Sequence, residues 1–131
     1  MKYLSHYTEK EQTKLLKECG AFFAFTDATY NEKKQDNIKY SFLNSGLVVP
    51  TENVDILLNG LKNIQSKGIE QDIKENGRIK IIWRELSNHE AQLTCSIDDT
   101  MEALSGYGIT RKEVSAEYIK FFDHCIDNNL F

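Results

Sequence analysis

Proline is nearly missing from this sequence, Pro50 being the only one in 131 residues, and no stretch rich in glycine, serine or proline marks a linker. One compact unit is therefore expected. Long apolar runs are missing too: the longest, Ala21 to Phe25, has five residues, against about 20 for a membrane-crossing helix. This excludes a spanning helix, and no membrane partner is expected. Three cysteines cannot build a disulfide framework, and residues Met1 to Lys10 lack the apolar core of a secretory signal. Both features lead to the expectation of a cytoplasmic protein.

The chain is also poor in concentrated positive charge. It carries 16 Lys and Arg against 20 Asp and Glu, and its one local basic cluster is Lys33 and Lys34. Duplex nucleic acid is not an expected partner, because phosphate recognition calls for a basic face. No glycine-rich phosphate loop occurs, and no second histidine stands four residues from His89 as in zinc proteases. The acidity is uneven. Up to Gly68 there are nine basic and eight acidic residues, and beyond it seven and twelve. The second half thus offers either an ordinary solvated surface or an acidic helical face suited to a basic partner.

What is present is an ordinary folding composition, 40% hydrophobic and 27% charged. Thr8 with Glu11 has capping-box spacing and predicts a helix to about Glu18, ended by Gly20. Ala21 to Phe25, apolar throughout, reads as a buried central strand. Thr26 is positioned to cap a short helix to about Gln35. Ile38 to Leu43 alternates like a half-buried strand, and Leu47 to Val49 returns after the turn residues Asn44, Ser45 and Gly46. Val54, Leu57, Leu58, Leu61 and Ile64 form one helical stripe that Gly68 is expected to terminate. Ile69 and Ile73, then Ile79, Ile82, Trp83 and Leu86, continue at helical spacing, with Gly77 leaving open whether this is one helix or two. Ser96 with Asp99 starts a short helix, and Thr110 with Glu113 opens the last one. There Val114, Tyr118, Phe121, Phe122 and Cys125 form an aromatic core stripe. The expected fold is α+β: a single compact domain, 1–131, with a small three-stranded antiparallel sheet covered by about five helices.

Chemistry-bearing residues are sparse. Arg84 to Gln92 is the densest polar segment. Glu85 and His89 are one helical turn apart and can pair, and a histidine near a helix C-terminus is favoured there when charged. The functional alternative is a ligand-binding corner formed by Arg84, Asn88, His89 and Glu90, with Tyr107 as a stacking ring between Gly106 and Gly108. His89, Cys95, His124 and Cys125 are metal-ligand types. Adjacent His124 and Cys125, however, project about 100° apart on a helix, so no metal is expected. No cofactor is expected and no catalytic residue is assigned.

The segments Met1 to Tyr7, Gly20 to Phe25, Arg84 to Gln92 and Tyr107 to Thr110 together resemble an uncharacterised family of small proteins from gut-type Bacteroidales bacteria and their phages. The resemblance spans nearly the whole chain and implies a phage-type accessory gene, whose products act by binding a host component. The leading expectation is a cytoplasmic protein that binds and blocks or adapts a host protein, as an anti-defence or takeover factor, with a homo-oligomer as a possible form. The alternatives are a protein that holds or sequesters a nucleotide-like ligand at the Arg84 corner and a structural or assembly subunit.

Overall fold

The computed structural model describes all residues, 1–131. Helix α1 spans Leu4–Glu18. It begins one turn before the expected Thr8 because His6 Nδ1 accepts the Tyr3 backbone N–H at 2.9 Å, satisfying a donor that would otherwise be unpaired. Thr8 lies inside the helix, buried. Strand β1 (Phe22–Phe23) leads to helix α2 (Asp27–Lys33), which Thr26 caps as expected, its hydroxyl accepting the Thr29 N–H at 3.1 Å. Strands β2 (Tyr40–Phe42) and β3 (Leu47–Pro50) complete a three-stranded antiparallel sheet, and helix α3 follows over Val54–Asn76.

The strand order is β1-β3-β2. Val48 stands between Phe22 and Phe42, and Val49 faces Ser41. This corrects the expectation that Ala21 to Phe25 is the central strand. The centre is β3, whose Val48 and Val49 are fully buried, while β1 is a two-residue edge with Phe23 exposed. A short strand at an edge buries one side only, so a continuous aromatic run there does not imply burial on both faces.

The chain divides into two compact units, residues 1–68 and 69–131. In the first, Cys19, Val49 and Leu57 form the core, with Leu15, Leu16, Ala21, Leu43, Leu47, Val54 and Leu61 packed around them. Leu58, expected in that stripe, is exposed. Gly68 does not end α3, which continues for two more turns. Gly60 and Gly68 instead let α1 approach: a Cβ at Gly60 would meet Leu15, and one at Gly68 would meet the Thr8 methyl.

In the second unit Gly77 separates α3 from helix α4 (Arg78–Asn88), so the Trp83 region is a separate helix. Helices α5 (Ala91–Thr94), α6 (Asp98–Ala103) and α7 (Arg111–Asp127) follow, making seven α-helices where about five were expected. Thr110 caps α7 as its sequence spacing requires, accepting the Glu113 N–H at 3.2 Å. Val114, Phe121 and Cys125 of the α7 stripe are buried, together with Ile81, Ile82 and Leu86 of α4. No helix is long and apolar enough to cross a membrane.

Gly77 has φ 78° and ψ 157°, a conformation open in practice only to glycine. A Cβ there would touch nothing within 4 Å. Gly77→Ala should therefore cost about 1–3 kcal/mol through the backbone alone, read as a lower urea midpoint. An unchanged midpoint would show that α3 and α4 meet without strain.

Candidate functional site

Two groupings of side chains stand out, one in each unit. In the second unit, α3 brings Asp72 onto the apolar side of its last turns, one turn from Ile69 and beside Ile73. There Asp72 is fully buried. Arg84 of α4 meets it with two parallel bonds, Nη1 to Oδ1 at 2.9 Å and Nη2 to Oδ2 at 3.0 Å. The Tyr107 hydroxyl donates to Oδ2 at 2.6 Å and Asn76 Nδ2 to Oδ1 at 2.8 Å. Arg84 Nε reaches Glu85 Oε1 at 2.8 Å, and the other Glu85 oxygen lies 3.5 Å from His89 Nε2.

The electrostatics follow from this geometry. Burial pushes the Asp72 carboxyl up, but hydrogen bonds from Arg84, Tyr107 and Asn76 outweigh it and hold the group below its ordinary value. For Arg84 burial works against the charge, and the bonds to Asp72 and Glu85 more than restore it. Burial and the Asp72 charge push the Tyr107 hydroxyl well up, so it remains a donor at neutral pH. The result is a closed polar cluster whose members satisfy one another.

The five residues singled out from sequence divide between the interior and the surface. Arg84 and Tyr107 are buried and joined through Asp72. His89 is half-buried and linked to them through Glu85, the pairing expected from their spacing. Asn88 and Glu90 are exposed at the end of α4, where Glu90 takes the left-handed conformation that turns the chain into α5. Tyr107, expected as an exposed ring, points inward because its hydroxyl completes the Asp72 shell. Asp72 itself was missed. Its signal is an acid at an apolar position of the Ile69, Ile73 stripe, where a carboxylate must find an internal partner.

Nearby, Trp83 Nε1 donates to Glu117 Oε1 at 2.9 Å, and its ring stands edge-on to Phe121 and His124, both at 5.5 Å. The Trp83 bond, with help from Lys120, keeps Glu117 below its ordinary value despite some desolvation. Cys125 is buried in the α7 stripe, and that burial raises its thiol. No group of three or more His, Cys, Asp and Glu side chains is close enough to hold a metal ion.

The other grouping lies on the sheet of the first unit. Phe22, Val48 and Phe42 share one sheet face by register, and Tyr40, two residues from Phe42, joins them. Tyr30 of α2 packs over this face, 5.1 Å from Phe42, 6.0 Å from Tyr40 and 6.4 Å from Phe22 between ring centres. Beside them Phe25 lies nearly parallel to Phe23 at 6.4 Å. The cover is thin: Phe25 is 76% exposed, Phe42 66% and Phe23 44%. An open cavity of about 530 Å³ is lined by Ala24, Phe25, Thr26, Asp27, Tyr30 and Phe42. The sequence signal for this patch is that Phe23 and Phe25 are two apart, so they fall on one side of an extended chain.

The model of a family of unknown function (DUF7659) matches residues 4–124. The chain belongs to this family. No curated protein and no solved structure matches it.

Proposed function

We propose that the protein acts by binding another protein, as a phage-type accessory factor that blocks or adapts a host component. The observation that carries this reading is the exposed aromatic cluster of the first unit, in which Phe25 and Phe42 line an open recess and Phe23 stacks on Phe25. Contiguous exposed aromatics are costly in water and are enriched at the centres of protein interfaces, where a partner's apolar side chains displace the water. The polar edge formed by Thr26 and Asp27 gives such a contact a rim. The alternative of a nucleotide-like ligand held by Arg84, Asn88, His89, Glu90 and Tyr107 draws no comparable support. Arg84 and Tyr107 direct their polar atoms to Asp72 and Glu85, away from any visitor.

The test is cross-linking capture from a Bacteroidales lysate with three forms of the chain: wild type, the double variant Phe23→Ser with Phe25→Ser, and Ile119→Ser on α7. One protein captured by wild type and Ile119→Ser, and reduced about tenfold or more with the double variant, is the expected result. Capture that is indifferent to Phe23 and Phe25, or no specific capture, overturns the reading.

A further inference from the structure

The strand order leaves β1 and β2 at the two edges of the sheet, and the two edges are finished differently. In an antiparallel ladder alternate residues turn their N–H and C=O toward the neighbouring strand and the others turn them away. The Ala24 N–H donates to the Gly46 carbonyl at 2.9 Å, so Phe22 and Ala24 face β3 and Phe23 faces outward. The outward Phe23 carbonyl is capped, accepting from Lys33 Nζ at 3.3 Å. A lysine over a two-residue strand is a common guard against edge pairing.

The β2 edge has no such guard. The Leu43 N–H donates to the Leu47 carbonyl at 2.7 Å and the Thr51 N–H to the Lys39 carbonyl at 2.8 Å. Residues 39, 41 and 43 therefore face β3, and Tyr40 and Phe42 turn their backbone groups away from the sheet. The strand Tyr40–Phe42 contains no charge, proline or glycine, and the Phe42 ring is 66% exposed.

We propose that β2 pairs antiparallel with β2 of a second copy of this chain, about a twofold axis at Ser41, joining two sheets of three strands. This segment is self-complementary. With the axis at Ser41, Tyr40 of each copy faces Phe42 of the other, and the outward donors and acceptors form four backbone hydrogen bonds. The two Ser41 residues oppose one another at the close, non-bonded position, where small side chains fit. Lys39 falls opposite Leu43 of the other copy, so like charges do not meet. Each Phe42 ring lies beside the other copy's Tyr40 on the aromatic face. Three residues make a small interface, so the dimer is weak and concentration-dependent.

The experiment combines sedimentation from dilute to concentrated solution with hydrogen exchange at individual amides. In wild type a dimer forms on concentration. Exchange of the Tyr40 and Phe42 amides slows with it, while the Ser41 amide, bonded to β3, is protected throughout. Phe42→Pro removes an outward N–H without removing a bond to β3 and raises the dissociation constant about tenfold or more; Phe42→Ala, which keeps that N–H, raises it less. A wild-type chain that stays monomeric overturns the proposal. So does a Phe42→Pro dimer of undiminished strength, or Tyr40 and Phe42 exchange that ignores concentration. Should Phe42→Pro fail to fold, the wild-type amides decide. The proposal does not rest on the partner reading, whose test uses Phe23 and Phe25.

Discussion

Asp72→Ala is expected to destabilise the second unit by about 3–5 kcal/mol, the usual cost of leaving one member of a buried ion pair alone. Arg84 would keep its burial and its bond to Glu85 but lose two charge-assisted bonds. Tyr107 and Asn76 would each lose the acceptor that Asp72 now offers them. Trp83 fluorescence in a urea titration reads the loss as a lower midpoint. Replacing both charges, Asp72→Leu with Arg84→Met, should recover much of the deficit, since apolar packing often matches a buried pair in stability. Tyr107→Phe, which removes a single hydrogen bond, should cost only about 1–2 kcal/mol. The acid limb follows from the direction of the shift. The Asp72 carboxyl lies below its ordinary value of 3.8 in the folded chain. Its contribution is fully present above that pH and disappears as pH falls through the lower, folded value. Wild type should therefore lose stability more steeply below about pH 4 than Asp72→Ala does. Parallel acid curves would show that the pair contributes nothing through ionisation.

Gly68→Ala is the second large effect, and it runs against helix propensity. In an exposed helix interior the change would gain about 1 kcal/mol. Here the new Cβ would enter the space of the Thr8 methyl, with Leu4 Cδ1 3.3 Å away. Thr8 is β-branched and sits within α1, so its χ1 has little freedom and the helices must move apart. Overpacking of this kind costs about 1–3 kcal/mol, giving a net loss. Gly60→Ala should be milder, since the atoms it meets are the flexible ends of Leu15, the nearest at 2.5 Å. Thr8→Ser removes the obstructing methyl, and in combination with Gly68→Ala it should restore the midpoint, a coupling that a double-mutant cycle measures. A stabilised Gly68→Ala single variant would refute the close approach of α1.

Local signals were legible where one short stretch supplies its own reason. Thr26 and Thr110 cap α2 and α7 because hydroxyl and backbone donor lie three residues apart. The Glu85 and His89 pair follows from a single helical turn, and the α7 stripe reads as core from its spacing. These need no knowledge of the rest of the chain. The order of the strands did need it. Ala21 to Phe25 is the longer apolar run, yet Leu47 to Val49 is central, because which strand lies between the others depends on chain path and not on run length. The same holds for Gly68, whose role comes from Thr8, sixty residues earlier.

The candidate sites show the same division. The amino-acid pattern alone settled an α+β chain with a three-stranded sheet and the caps of α2 and α7, while the acid at residue 72 in an apolar stripe went unread. Tertiary structure decided that this acid meets Arg84 and Tyr107, turning two apparent ligand residues inward. It also decided that the aromatic block of the first unit remains open to solvent. The physical reason is range: capping and periodicity act within a turn or two, whereas burial and charge pairing depend on which distant segments the folded chain brings together.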